Sequence, residues 1–292
     1  MLVHRVCLLP LGLLIVLLEA ASMGTRVTFL QEPSAAYVKR YLEQQDDICA
    51  STNHQFAGFT APTSADGDGA APPRPPSGFQ ERTVRVRLGS GKRTYERGRE
   101  ALLRWRMHDG SSWARIKLGR RPKRSNSQLN MVTVAKACAG MTWCINPCLV
   151  LYEHKDTTLR FLAPPGTDPH HPLHSPNDTP TRTHGAKQEG WLWAGGSPTS
   201  APRWASFLAG SKHKGKQSAV AYTTKEGHFI QGEERMRVLW FCGRGGDDSV
   251  WFEVYSVSRG AGFVGGVVFP FVQSMQRRFF REQAETMRQI SS

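Results

Sequence analysis

The sequence predicts an α+β fold, an antiparallel sheet of about seven strands with a long C-terminal helix across one face. Three observations carry this. Thr83-Val84-Arg85-Val86-Arg87-Leu88 alternates polar and apolar residues, the period of a half-buried strand, and similar runs recur along the chain. Gly243-Arg244-Gly245-Gly246-Asp247-Asp248 supplies turn residues between two of the later runs. The chain end repeats Val268, Phe271, Val272, Met275, Phe279, Met287 and Ile290 near helical spacing, with Gln276, Arg277, Arg281, Glu282 and Glu285 at other positions.

The elements follow in order. Residues 33–45 predict a short helix with Pro33 at its start. Residues 60–78, rich in Ala, Pro, Gly and Asp, predict a loosely held loop. After the strand at 83–88, Gly89-Ser90-Gly91 turns the chain, with Ser90 as cap, into a helix over 92–107. Tyr95, Ala101, Leu102 and Trp105 form its apolar stripe. Strands are expected at 113–117, 131–137 and 148–153. From 155 to 217 the chain is rich in Pro, His, Gly, Ser and Thr, and predicts a long irregular insertion. Strands resume at 219–226, 234–241 and 249–258. Pro270 then suits the first turn of the terminal helix, where a missing N–H costs little.

A net charge of +14 and a hydrophobic fraction of 39% describe a basic chain whose core is diluted by loops. Much of the positive excess lies between Arg82 and Arg124. It favours anionic partners, an anionic membrane surface among them, or is simply a solvated basic surface. Nucleic acid is disfavoured, because Arg120-Arg121-Pro122-Lys123-Arg124 lacks the interleaved aromatics of a single-strand binder. Cys7, Cys49, Cys138, Cys144, Cys148 and Cys242 form no regular framework and suggest buried thiols.

Residues 1–24 pair His4 and Arg5 with the apolar run Val6–Leu18 and the small residues Ala20-Ala21-Ser22, the outline of a secretory signal. The alternative is a leader upstream of a start at Met23. Met23-Gly24-Thr25-Arg26-Val27-Thr28 would then match a myristoylation pattern, favouring an intracellular or membrane-associated protein. Residues 25–292 are expected to form a single domain.

The candidate chemistry centres on Gly227-His228-Phe229-Ile230-Gln231-Gly232-Glu233-Glu234. A His close to carboxylates can be tuned across neutral pH. Strand parity places Glu234 with Met236, Val238 and Trp240, and sets Tyr222 and His228 on the matching face of the preceding strand. A bulge at Gly227 or Gly232 would break that parity. Two adjacent glutamates cannot face the same way, so one serves a pocket at most. A solvated hairpin with two surface acids accounts for the same residues. Elsewhere, Gly89–Thr94 fails both phosphate-loop patterns. His170, His171 and His174 have no accompanying ligand set, so neither a metal nor a cofactor is expected.

Val84–Gly91, Tyr95-Glu96, Ala101–Trp105, Trp113, Pro147–Tyr152, Tyr222, Gly227-His228, Gly232–Glu234, Val250–Glu253, Ser256–Ser258, Pro270 and Gln276 together resemble the family called domain of unknown function nineteen-ninety. Val27–Leu30 with Pro33-Ser34 resembles the beginning of its plant members. Residues 1–22 and the long 155–217 segment depart from the family pattern. Because the resemblance starts near Met23, it supports the later start. It implies no activity. By analogy it implies the helix-grip fold of Bet v 1-like and START-like proteins, a curved sheet wrapped on the terminal helix around a cavity. That implies a hydrophobic or amphipathic ligand, anionic heads included. His228 and Glu234 would be its polar anchors, and Tyr222, Trp240 and Trp251 its walls, with Trp251 expected to face the other way from Trp240. Two alternatives stay open. One is an enzyme using His228 as acid or base oriented by Glu233 or Glu234. The other is a basic adaptor at a membrane or macromolecular surface.

Overall fold

The computed structural model describes residues 26–29, 31–47, 51–61, 75–120, 129–137, 142–161, 191–194, 213–242 and 248–292. It contains strands β1 (Arg26–Phe29), β2 (Gln80–Gly89), β3 (Ala114–Leu118), β4 (Leu129–Ala137), β5 (Thr142–Phe161), β6 (Trp191–Ala194), β7 (His213–Thr224), β8 (Ile230–Cys242) and β9 (Ser249–Gly260). The helices are α1 (Ala35–Asp47), α2 (Gly91–Leu103) and α3 (Gly262–Ser291), with a 3-10 turn at Arg106–His108. All strands join one antiparallel sheet in the order β3-β4-β5-β7-β8-β9-β2-β6, and β1 pairs with β5. The fold is α+β, a curved open sheet of seven longer strands against the C-terminal helix, with the four-residue β1 and β6 added.

The sheet has two covered faces, and strand alternation decides which residue goes where. On the first face Val84, Val86, Val220, Met236, Val238, Phe252 and Val254 meet Leu102 of α2 and Phe280, Ala284 and Met287 of α3. Phe280 and Met236 are fully buried there, so truncating either to Ala costs about 2–5 kcal/mol. On the second face Val38, Tyr41 and Leu42 of α1 pack on Val132, Val134, Trp143 and Ile145. Beside them Phe56 and Phe59 pack on Phe79, Tyr255 and Val257.

Several sequence expectations change. The segment 155–217 is not irregular at its ends: β5 runs to Phe161, β7 starts at His213, and Trp191–Ala194 pairs with Thr83–Val86. The polar stretch His154–Thr158 hides this strand, because ladder pairing uses the backbone and tolerates polar side chains. Two register shifts, at Val150/Tyr152 and His154/Thr157, let β5 continue past Asp156. Asp156 itself is left-handed at φ 53.

In the predicted 60–78 loop, Thr60 is buried and hydrogen-bonded rather than loose. The helix predicted to 107 ends at Leu103, and Ser90 occupies the cap position without a side-chain cap bond. Helix α3 begins at Gly262, well before Pro270, so Pro270 is not in its first turn. Cys144 and Cys148 are buried, and Cys242 is half-buried. Residues 1–24, Cys49, Cys138, residues 121–124, His170, His171 and His174 lie outside the described residues. No helix among the described residues is long and apolar enough to cross a membrane.

Candidate functional site

The stretch Gly227–Glu234 forms the β7–β8 hairpin turn and the start of β8. Gly227 takes φ 87, a conformation that glycine adopts without steric cost. The His228 N–H donates to Lys225 O (3.2 Å), and its Nδ1 accepts from the Ile230 N–H (3.0 Å). An accepting Nδ1 places the proton on Nε2, so the ring is the neutral tautomer. Burial lowers its pKa to about 3. At Gly232 a Cβ would lie 2.8 Å from Ser258 Cα and collide with the Val257 carbonyl, so the close pass to β9 requires glycine.

The two glutamates then go to opposite faces. Glu233 enters the second face and holds the strap Ser51–Ala61. Its Oε2 accepts from the N–H groups of Gly58 (2.8 Å) and Phe59 (3.0 Å). Its Oε1 accepts from Thr60 N–H (3.0 Å) and Thr60 Oγ1 (2.6 Å). Tyr152 Oη and Arg235 Nη1 both donate to Thr60 O, and His54 Nε2 bonds Thr223 Oγ1 at 2.7 Å. On the same face Glu253 is ringed by Arg85, Arg235 and Arg237, with Arg237 Nε at 2.5 Å. Burial alone would raise its pKa, but the three guanidiniums hold the carboxyl far below the usual range. Both carboxylates on this face are thus engaged, Glu233 by the strap and Glu253 by the three guanidiniums.

Glu234 enters the first face, under α3. Tyr222 stands directly across the ladder and hydrogen-bonds its carboxyl, and Gln283 Nε2 donates to Oε1 at 3.3 Å. Burial pushes the Glu234 pKa up to about 7, and the two hydrogen bonds offset only part of that. The Cys148 thiol is pushed far above its ordinary value, by burial first and then by Glu234. It is no nucleophile here.

From Tyr222 a run of rings leads outward: Trp105 at 6.2 Å, His108 stacked on Trp105 at 6.2 Å, Phe279 stacked on His108 at 5.3 Å, and Trp113 edge-on to Phe279 at 5.8 Å. Several buried polar atoms in this layer have no hydrogen-bond partner among the described residues. They are both ring nitrogens of His108, Trp113 Nε1, Gln283 Oε1 and, further along the same face of β5, Asn146 Oδ1. Each unmet buried group costs about 1–3 kcal/mol, so several close together need an explanation. Burial lowers the His108 pKa to about 3, so its ring is neutral, with one donor and one acceptor. Trp105 sits at φ 59, strained for a bulky residue by about 1–3 kcal/mol.

The structure thus brings Tyr222 and Glu234 together and separates the other candidates. His228 makes no hydrogen bond or ion pair with Glu233 or Glu234 among the described residues, which leaves the acid–base pair without geometry. Its Nδ1 hydrogen bond closes the hairpin turn. Trp240 lies on the first face but away from this cluster, stacked on Tyr95 at 5.6 Å and donating to Asp248 Oδ2 at 3.3 Å. Trp251 is buried on the second face with Leu239 and Phe241, as parity predicts.

Sequence reasoning did not single out His108, Gln283 or Asn146. Gln283 carried a signal: it falls four residues after Phe279 and four before Met287, a polar residue inside the apolar stripe. His108 carried none, since it lies in an aperiodic turn.

Residues 64–175 and 199–286 match the family described as a domain of unknown function, DUF1990. The UPF0548 protein At2g17695 of Arabidopsis thaliana is 23% identical over 214 residues, which cover 72% of each chain. The family match spans well over half the sequence and includes the β2–α2 region, the Gly227–Glu234 hairpin and most of α3. The chain belongs to the DUF1990 family.

Proposed function

We propose that the protein binds a small, largely apolar molecule with polar groups in the layer between the sheet and α3, near Glu234 and Tyr222. One observation carries this reading. His108, Trp113, Gln283 and Asn146 bring unpaired hydrogen-bonding atoms into an otherwise apolar, aromatic layer. A core that served stability alone would be better filled by apolar side chains of the same shape. A binding site needs a few polar atoms set in apolar walls. On the second face Trp251 Nε1 and Tyr255 Oη also lack hydrogen-bond partners among the described residues, but they belong to two separate apolar clusters.

The test begins with native mass spectrometry of the purified protein and extraction of any co-purified compound. Trp105 and Trp113 line the layer, so ligand entry is expected to change intrinsic fluorescence. Phe279→Ala and Tyr222→Phe should weaken binding, while Trp251→Phe on the opposite face should not. Equal binding by all three variants, with folding confirmed by circular dichroism, would place the ligand elsewhere.

A further inference from the structure

We infer that the ligand is an uncharged, planar ring compound with hydrogen-bonding groups on its rim, and not an anionic lipid. This rests on the binding reading above and specifies its chemistry. The shape comes from the walls. Tyr222, Trp105, His108, Phe279 and Trp113 form a continuous aromatic series with centroids 5.3–6.2 Å apart. Flat rings gain from stacked or edge-on partners beyond the area they bury, whereas a flexible acyl chain gains only the area.

The polar demand comes from the unpaired atoms. Trp113 Nε1 and one His108 nitrogen offer donors, and the second His108 nitrogen, Gln283 Oε1 and Asn146 Oδ1 offer acceptors. A hydrocarbon tail would leave all of them unmet. A ring bearing both a hydroxyl or N–H group and an acceptor could satisfy several at once.

The charge follows from what faces the site. Glu234 is the carboxyl at its floor, held by the neutral donors Tyr222 and Gln283. Glu282 of α3, on the outer side, is already engaged by Arg278 (2.9 Å) and by Ser111 Oγ (2.8 Å). Lys225, whose charge reaches Cys148, directs its ammonium to Asn130 Oδ1 at 2.9 Å. His108 is neutral in the folded protein, so it brings no charge of its own to the site. A carboxylate placed here would lose its hydration beside Glu234, while the Lys225 ammonium is held on Asn130 Oδ1. Entry has a natural place, because Trp105 and His108 belong to one short turn outside the strand ladder, and Trp105 is already in a strained conformation.

The experiment compares three probes with one ring system: 2-naphthol, 2-naphthoate and naphthalene, with laurate as the acyl-chain control. Binding at pH 7 is read by tryptophan fluorescence and calorimetry on the full chain. Expected is 2-naphthol at least tenfold tighter than 2-naphthoate and than laurate. His108→Phe keeps the stacked ring and removes both nitrogens, and Gln283→Leu removes the acceptor. Each should cut the preference for 2-naphthol over naphthalene about fivefold. Circular dichroism confirms that each variant is folded. If 2-naphthoate or laurate binds as tightly as 2-naphthol, the ring-and-neutrality inference fails and the binding site stands. If none of the four binds and nothing co-purifies, the site itself is refuted.

Discussion

Glu234→Gln isolates the electrostatics of the proposed site. In the folded protein Glu234 has a pKa of about 7, against an ordinary 4.5. Each pH unit of separation is worth about 1.4 kcal/mol, so ionising the buried carboxyl costs about 3 kcal/mol. The folded state holds the proton more tightly, so between pH 4.5 and 7 the folded form binds more protons than the unfolded chain. The stability linked to Glu234 is therefore fully present below pH 4.5 and is lost as pH rises through 7.

His108 and His228 act in the opposite sense. Their folded values near 3 lie below the ordinary 6.5, so their contribution is present above pH 6.5 and is lost as pH falls toward 3. The wild-type curve alone mixes these opposed trends. The difference between variant and wild type removes the histidines from the comparison. Glutamine mimics the neutral carboxyl and can still accept from Tyr222 and Gln283. Urea unfolding at intervals from pH 4.5 to 8 should show the variant equal to wild type at the acid end. It should be about 3 kcal/mol more stable at pH 8. A difference that stays flat across this range would mean that the Glu234 pKa does not change on folding, and the site as described would be wrong.

Other predictions concern the opposite face and the hairpin. Glu253→Ala leaves Arg85, Arg235 and Arg237 without their shared carboxylate and should cost about 3–5 kcal/mol in chemical denaturation. Glu233→Ala removes the acceptor for Gly58, Phe59 and Thr60 and should speed hydrogen exchange of those amides and proteolysis of the strap by at least tenfold. Binding of 2-naphthol should be unaffected. Gly232→Ala forces β8 away from β9 and should destabilise by about 2 kcal/mol or more, read as a lowered Tm. His228→Ala should cost about 1 kcal/mol through the lost Ile230 hydrogen bond, again without affecting 2-naphthol binding.

Alternation and helical spacing carry this fold because each reports a local geometry that any tertiary arrangement must respect. They located β2, β8, β9 and α3, and parity sent Glu234 and Trp240 to one face and Trp251 to the other. Short or polar strands escaped them. Trp191–Ala194 gains its ladder from Thr83–Val86, and the polar end of β5 gains its ladder from β7, so neither has a local pattern to find.

The candidate site divides in the same way. Strand parity was enough to choose Glu234 over Glu233, since neighbours on a strand must diverge. What Glu233 does was not in the pattern: its partners are backbone N–H groups of a strap far away in sequence, brought close by tertiary folding alone. The same holds for His108. An imidazole in an aperiodic turn has no periodic signature, and its meaning comes from Phe279 stacked upon it once α3 crosses the sheet. Sequence thus specified which faces the strands present, because that depends on a period of two. Tertiary structure decided which polar atoms lose their water and which find partners, because that depends on what packs over them from elsewhere in the chain.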